Sequence, residues 1–292
     1  MFDLLRADTQ GQHIITEQAL DTRLARPLDE ILHDPQWLFA NSCAQPLIVA
    51  AGLAAWRRLR DELPAPALVA GYSIGELTAY GVAAALSDND AIDLAVARAA
   101  LMDACLVQSP HQGLMSVGGI EAGEVQELLW RHGAFVAIAT GFDTLIAGGR
   151  SADLLAAQNE LESRGARTGM LPVGIASHTP LMEPALAPFT IALDAADFRE
   201  PASVVLAGIS GQEIHDLRSA RATLAQQLTH TIRWSSCMDA CAERGVSVVL
   251  ELGPGSALSR MLRERHPHIE CRSVSDFRSL AGVLSWLRNR LD

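Results

Sequence analysis

The six residues Gly71-Tyr72-Ser73-Ile74-Gly75-Glu76 constrain the fold more than any other part of the chain. They lie between an apolar run, 67–70, and a segment with the composition of a helix, 77–86. A G-x-S-x-G sequence between a strand and a helix is typical of a nucleophile elbow, a sharp turn that exposes the serine hydroxyl. Glycine-flanked serines also occur in ordinary solvated turns, but the flanking strand and helix favour a catalytic serine. We therefore predict that Ser73 is a nucleophile.

Length and composition predict a globular protein with one large core, or with a core domain that carries a smaller inserted one. The chain has 292 residues, of which 49% are hydrophobic. The longest apolar run, 47–56, is shorter than the about 20 residues that cross a bilayer, and the charged start does not resemble a signal peptide. We expect a cytoplasmic protein with no membrane partner. Five cysteines without a C-x-x-C pair predict neither a disulfide framework nor a metal site.

The net charge of −11 disfavours nucleic acid as a partner, because binding to phosphates needs a basic surface. Predicted strands and helices alternate along the chain, which is typical of an α/β fold with a largely parallel sheet. The pattern predicts helices over 14–32, 44–63, 88–107 and 279–291, and strands at 67–71, 246–250 and 269–273.

Residues 113–172 have a different sequence pattern, in which short strand-like runs surround two helical segments in the order βαββαβ. That order predicts a small ferredoxin-like subdomain. We therefore expect a large α/β core formed by 1–112 and 173–292, with the small subdomain, 113–172, inserted into it.

A second candidate catalytic residue is His178, in the segment Ser177-His178-Thr179-Pro180. An apolar run predicts a strand over 170–176, and Thr179 followed by Pro180 is typical of a helix start. His178 is thereby expected at the carboxyl end of a strand, where open α/β sheets place their active sites. An imidazole there could take the proton of Ser73 and return it to a leaving thiolate.

The third candidate is Arg98, which shares a helix face with Leu94, Leu101, Met102 and Cys105. A guanidinium on an apolar face needs a partner, and no acidic residue lies on that stripe. Its partner is either a carboxylate from a distant part of the chain or the carboxylate of a substrate, which arginine can hold with two parallel hydrogen bonds.

These segments resemble those of the malonyl-CoA:acyl carrier protein transacylases and related acyltransferase domains. The elbow is similar to that family's nucleophile motif, residues 98–102 to its R-x-x-x-M segment, and residues 177–184 to its histidine segment. Two further stretches, 227–234 and 251–255, are similar to its glutamine segment and its E-x-G-P-G. The resemblance implies a hydrolase-like core with an inserted ferredoxin-like subdomain, in agreement with the boundaries above.

By this resemblance, Ser73 attacks the thioester of malonyl-CoA and His178 acts first as a base and then as an acid. The backbone N–H of Ile74 is expected to bind the oxyanion. The resemblance implies no bound cofactor. The malonyl group passes to the thiol of a phosphopantetheine-type prosthetic group on the partner, an acyl carrier protein.

The same resemblance implies three binding roles. Arg98 holds the free carboxylate of the malonyl group, Met102 belongs to the same substrate-binding segment, and the backbone carbonyl of Gln227 orients the histidine. The residues before the histidine, 175–177, do not match a clear malonyl-selecting pattern, so a branched malonyl substrate stays open.

The family places a second oxyanion donor in an F-x-G-Q-G loop after its first strand. This sequence begins at Met1-Phe2-Asp3-Leu4 without such a loop, and Gln10-Gly11-Gln12 is a poor substitute because no apolar strand precedes it. We expect that a central strand and its loop are missing from this sequence, which would reduce both activity and stability.

Three departures from the family narrow the prediction. Tyr72 replaces the usual histidine before the nucleophile, residues 139–142 lack the usual asparagines, and residues 273–279 form an unusual tail segment. Together they are more like the epsilon subunit of bacterial malonate decarboxylase, whose carrier partner is the decarboxylase's delta subunit, than like a fatty-acid-synthesis transacylase, which is the alternative.

Two other classes of protein stay open. A serine esterase would use the same elbow, but esterases usually place an acidic residue between the serine and the histidine, and here Asp143 and Asp153 fall in the inserted subdomain. An inactive module that binds carrier proteins would explain the absent oxyanion loop. It predicts carrier binding without acylation of Ser73.

Overall fold

The computed structural model describes residues 1–291. Among the helices of this range, none is both long enough and apolar enough to cross a lipid bilayer. In chain order the helices are α1 (Asp3–Arg6), α2 (Thr9–Glu17), α3 (Leu20–Arg23), α4 (Leu28–His33), α5 (Pro35–Leu38), α6 (Asn41–Leu59), α7 (Gly75–Val82), α8 (Asp88–Gln108), α9 (Ala122–Arg131), α10 (Ser151–Ser163), α11 (Glu183–Ala195), α12 (Leu217–Gln226), α13 (Trp234–Glu243), α14 (Ala257–Arg265) and α15 (Leu280–Leu291). The strands are β1 (Leu68–Ala70), β2 (Gln112–Gly118), β3 (Phe135–Ala139), β4 (Thr144–Arg150), β5 (Arg167–Met170), β6 (Val204–Leu206), β7 (Ile232–Arg233), β8 (Val248–Glu251) and β9 (Glu270–Ser273).

The single helix predicted over 14–32 is wrong, because the chain breaks there into α2, α3 and α4. Ala19 and Ala25 adopt left-handed backbone conformations, with φ of 47° and 50°, and each ends a helical segment. Pro27 then precedes α4. The predicted helices over 44–63 and 279–291 are confirmed as α6 and α15, with small shifts of their ends.

The parallel core sheet consists of two strand pairs within residues 1–291. β1 pairs with β6 and β8 pairs with β9, both in parallel. Val69 packs on the largest apolar cluster, to which α6 and α8 contribute, whereas its neighbours Leu68 and Ala70 pack on a second cluster. Leu250 and Val249 of β8 divide between the same two clusters. The two pairs therefore lie in one layer, with helices on either side.

The inserted subdomain has the predicted βαββαβ order, β2-α9-β3-β4-α10-β5. Its strands form an antiparallel sheet in the order β5-β2-β4-β3, and its apolar cluster includes Val125 from α9 and Leu154 from α10. β7 extends this sheet by pairing in parallel with β3. The sheet thus includes two residues from the core segment 173–292, Ile232 and Arg233, and the exact limits 113–172 stay a prediction.

The strand predicted over 170–176 is wrong, because β5 ends at Met170 and the chain then continues without regular structure to Pro180. Pro172 and Gly174 interrupt this segment, since proline has no N–H for a strand ladder and glycine weakens a strand. Single hydrogen bonds hold it instead. The N–H of Ala176 donates to Oε1 of Gln112, which anchors the segment to β2.

Candidate active site

The turn between β1 and α7 exposes Ser73 as predicted. Ser73 has a left-handed backbone, with φ of 53°, which is uncommon for a residue with a side chain. The N–H groups of Gly75 and Glu76 donate to the carbonyls of Tyr72 and Ser73, both at 3.0 Å, so the helix starts directly after the nucleophile. A Cβ on Gly71 would overlap the backbone of Glu76. Only glycine fits at position 71 in this turn.

His178 lies beside Ser73, although the two residues are 105 positions apart. Nε2 of His178 is 2.7 Å from Oγ of Ser73, and Nδ1–H donates to the backbone carbonyl of Gln227 at 2.5 Å. His178 also has a left-handed backbone, with φ of 62°, and its own N–H donates to the carbonyl of Leu228. A loop in a strained conformation therefore positions the imidazole, instead of the strand end that the sequence predicted.

The hydrogen bond to the Gln227 carbonyl places the ring proton on Nδ1 and leaves Nε2 free to accept the Ser73 proton. His178 is buried, and burial lowers its pKa to about 3. The positive charge of Arg98 acts in the same direction, while the Gln227 carbonyl opposes it. The imidazole is therefore neutral near pH 7, which is the state a general base requires.

Arg98 projects from α8 into the interior and is 1% exposed. Its two terminal nitrogens donate to side-chain amide oxygens, Nη1 to Gln45 at 2.5 Å and Nη2 to Gln227 at 3.0 Å. Burial lowers its pKa to about 10, and the nearby Glu76 opposes this shift. Arg98 therefore stays positively charged at neutral pH. Its guanidinium is held by two uncharged amide oxygens, so among the described residues its charge has no carboxylate at hydrogen-bond distance.

Met102 lies one helical turn after Arg98 and is also buried. Its sulfur accepts a hydrogen bond at 3.3 Å from Nε2 of Gln45, the same side chain whose oxygen holds Arg98. Gln45 also donates to Asn41 at 2.6 Å. The substrate-binding segment expected from the sequence is thus tied to α6 through a single glutamine.

The two segments considered as oxyanion donors lie in different helices, one at the start of α7 and the other inside α2. Ile74 directly follows the nucleophile and is the N-cap residue of α7, so its backbone N–H lies at the start of the helix. Gln10, Gly11 and Gln12 lie inside α2, where Gly11 packs against the backbone of Leu5. This segment is therefore helical and is not an oxyanion loop, as the sequence analysis anticipated.

Sequence reasoning missed two buried residues of this network, Gln45 and Glu76. Glu76 is fully buried in the first turn of α7 and accepts a hydrogen bond from the Gln227 side chain at 2.5 Å. Burial raises its pKa to about 7, against the effects of Gln227, the Gly208 N–H and Arg98. The signal for both was a polar residue among apolar neighbours on a helix, which is costly unless the group has partners.

Comparison with known proteins identifies the family. The sequence profile described as the acyl transferase domain matches residues 14–290. A polyketide synthase of Streptomyces halstedii is 36% identical over 251 residues, which are 83% of this chain but 4% of the synthase. The chain therefore spans a small part of that relative's length. A malonyl CoA-acyl carrier protein transacylase of Mycobacterium tuberculosis is 30% identical over 83% of this chain and 82% of its own.

The fold is compared with a solved structure. The malonyl CoA-acyl carrier protein transacylase of Coxiella burnetii superposes with a TM-score of 0.90, covering 99% of this chain and 92% of that one, at 23% identity. At that identity the likeness shows the fold alone, and it confirms the predicted hydrolase-like core with an inserted subdomain. The match over residues 14–290 shows more: the chain belongs to the acyl transferase domain family, and the predicted acyltransferase class is confirmed at the level of that family.

Proposed function

We propose that the protein transfers a malonyl group from malonyl-CoA to the thiol of an acyl carrier protein, through an ester on Ser73. The observation that carries the proposal is the buried cation of Arg98 next to a Ser73–His178 pair. The relative from Mycobacterium tuberculosis supports it, because its name states this reaction and the two chains match over most of their lengths.

In the first step, Nε2 of His178 takes the hydroxyl proton as Oγ of Ser73 attacks the thioester carbonyl. A C–O bond forms, and negative charge develops on the carbonyl oxygen, toward which the Ile74 N–H would donate. When the tetrahedral intermediate collapses, the C–S bond breaks and the leaving thiolate receives the proton from His178. The products are a malonyl ester of Ser73 and free coenzyme A.

In the second step, the thiol of the carrier's phosphopantetheine-type group gives its proton to His178 and attacks the ester. The C–S bond forms, the C–O bond breaks, and Ser73 recovers its proton. During both steps Arg98 would hold the malonyl carboxylate with two hydrogen bonds from its guanidinium. Met102 would line the same pocket. The carbonyl of Gln227 would keep His178 in the productive orientation and tautomer.

The geometry argues against the serine esterase. In a serine triad the third member is a carboxylate bound to the histidine, whereas Nδ1 of His178 donates to a backbone carbonyl. A neutral ester also has no carboxylate to pair with the buried charge of Arg98, whose partners are uncharged amides. A carrier-binding module without catalysis would not need a neutral imidazole 2.7 Å from a serine hydroxyl.

The intact mass after brief incubation with malonyl-CoA tests the proposal. The wild-type chain should gain one malonyl group, Ser73→Ala should gain none, and the surface variant Ser163→Ala should behave like wild type. Addition of a carrier protein with its prosthetic group should then remove the adduct. An equal adduct on Ser73→Ala would contradict the mechanism, and no adduct on the wild type would favour another acyl donor or the binding module.

The narrower assignment, to the epsilon subunit of malonate decarboxylase, rests on Tyr72 and on residues 139–142 and 273–279. Tyr72 is partly buried and packs edge-on against Trp234, with ring centroids 5.3 Å apart, so it fills the place next to the nucleophile with an aromatic ring. The carrier distinguishes the two assignments. Faster transfer to the decarboxylase's delta subunit, with its special prosthetic group, than to a fatty-acid carrier would support the epsilon subunit.

A further inference from the structure

Glu76 is a fully buried carboxylate that the mechanism above does not use. It lies three residues after Ser73, and its Oε2 accepts two hydrogen bonds, from Nε2 of Gln227 at 2.5 Å and from the N–H of Gly208 at 3.1 Å. Among the described residues, Oε1 has no hydrogen-bond partner. A carboxyl group at this depth is costly, so its retention needs a reason beyond packing.

Gln227 connects Glu76 to both parts of the site. Its side-chain nitrogen donates to Glu76 and to the carbonyl of Ser73, at 3.2 Å for the latter, and its side-chain oxygen accepts from Arg98. Its backbone carbonyl accepts from His178. The backbone of Gln227 therefore holds the histidine, while its side chain holds the arginine and also contacts the backbone of Ser73.

A glutamine amide can be turned over, so that its oxygen and nitrogen exchange places, and its neighbours decide which orientation is stable. Oε2 of Glu76 faces the fixed backbone donor of Gly208 and so acts as an acceptor, and therefore it requires the NH₂ group of Gln227 on its side. The amide oxygen is then left facing Arg98. In the reversed orientation, two donors would meet at Arg98 and two acceptors would meet at Glu76.

We propose that Glu76 is a positioning residue for carboxylate recognition: by fixing the Gln227 amide, it presents an oxygen to Nη2 of Arg98 and so orients the guanidinium toward the acyl group. This rests on the proposed function, in which the acyl group carries a free carboxylate. The side chain of Gln227 contacts the reactive pair through its 3.2 Å bond to the Ser73 carbonyl, whereas His178 is held by the backbone of Gln227. The pair should therefore respond less than Arg98 to a change at Glu76.

Gln227 and Gly208 both donate to the same oxygen of Glu76. Two substitutions of similar size can therefore be compared, one that keeps an acceptor there and one that removes it. Glu76→Gln can put its amide oxygen where Oε2 lies and so keep the bonds from Gln227 and Gly208. Glu76→Met has a similar volume but offers no comparable acceptor, so the Gln227 NH₂ group keeps the Ser73 carbonyl as its acceptor and the amide can move away from Arg98. Thermal unfolding would establish that both variants are folded before kinetics are compared.

The kinetic measurement is kcat/KM for acylation with malonyl-CoA and with acetyl-CoA, which has no free carboxylate. Glu76→Met should lower the malonyl-to-acetyl ratio at least about tenfold, chiefly through a higher KM for malonyl-CoA, with the acetyl rate changed less than about threefold. Glu76→Gln should restore the ratio to within about threefold of wild type. A purely structural role would lower both rates together and leave the ratio unchanged, which would overturn the proposal.

Crystal structures of the variants provide a readout that does not depend on the substrate. In Glu76→Met the Gln227 oxygen should no longer lie within hydrogen-bond distance of Nη2 of Arg98, whereas in Glu76→Gln it should. An unchanged amide in Glu76→Met would overturn the inference even if malonyl transfer is established. A displaced amide in a protein that takes no malonyl group would instead refute the proposed function and retain the positioning of Arg98 by Glu76.

Discussion

The two halves of the candidate site, both attached to Gln227, are held in opposite ways. In the reactive half, Ser73 and His178 are uncharged near pH 7, and both have left-handed backbones. In the carboxylate half, Arg98 and Glu76 lie within regular helices, and both are fully or almost fully buried ionisable groups.

This difference shows that the free-energy cost of preorganisation has a different origin in each half. The reactive half concentrates it in the backbone, because left-handed conformations are unfavourable for residues with a Cβ. The carboxylate half concentrates it in desolvation, because buried charges lose their hydration. Changes in steric fit should therefore disturb the first half most, while changes in the charge of a buried side chain should disturb the second most.

The largest effect is expected from the two glycines of the elbow, which the motif treats as equivalent. A Cβ at Gly71 would overlap the backbone of Glu76, whereas a Cβ at Gly75 would meet nothing within 4 Å. Gly71→Ala should lower the free energy of unfolding by at least about 3 kcal/mol, because the helix start must move. Gly75→Ala should lie between no change and a gain of about 1 kcal/mol.

Urea unfolding of the two variants measures this contrast, with acylation of Ser73 as a second readout. Gly71→Ala should also lose most of its acylation, since the nucleophile moves with the turn. Equal stability of the two variants would show that the strain of the elbow is not located at residue 71.

The next effect should separate the two halves. Arg98→Ala should lower kcat/KM for malonyl-CoA by about 100-fold, the equivalent of about 3 kcal/mol of charged hydrogen bonding, and change that for acetyl-CoA by less than about threefold. Arg98→Lys should recover little, because an ammonium group cannot offer two parallel donors to a carboxylate. Parallel losses with both donors would indicate that Arg98 supports the reactive half as well.

The sequence was sufficient for features whose causes are local. The elbow was predictable because Gly71, Ser73 and Gly75 lie within five residues of a strand–turn–helix pattern. The order of elements in the inserted subdomain followed from short strand-like runs around two helical segments. The start of α8 was predicted at residue 88, directly after Ser87, and Ser87 caps the helix by accepting from the N–H of Asp90.

The remainder depends on contacts that are distant in the chain. The predicted helix over 14–32 breaks near Gln18, whose side chain donates to the carbonyl of Ala50, a contact that no local pattern encodes. His178 was expected after a strand, but the segment before it is held by Gln112 of another element. The bond between Glu76 and Gln227 joins residues 151 positions apart, so the burial of Glu76 could be suspected, but its partner could not.

The smallest expected effect is a pH dependence of stability that isolates the charge of the carboxylate half. Burial raises the pKa of Glu76 from 4.5 to about 7, so folded protein keeps a proton that unfolded protein releases, and this contribution to stability is lost as pH rises from about 4.5 to about 7. Burial lowers the pKa of His178 from 6.5 to about 3, which gives the opposite sign: stability is gained as pH rises from about 3 to about 6.5.

In the wild type the contributions of Glu76 and His178 offset each other over the shared pH range, whereas Glu76→Gln keeps only that of His178. The stability of Glu76→Gln relative to wild type should therefore increase between about pH 5 and about pH 7, by about 1 to 2 kcal/mol when measured by urea unfolding. A difference that stays constant with pH would mean that Glu76 is ionised throughout, and that the carboxylate half tolerates a buried negative charge beside Arg98.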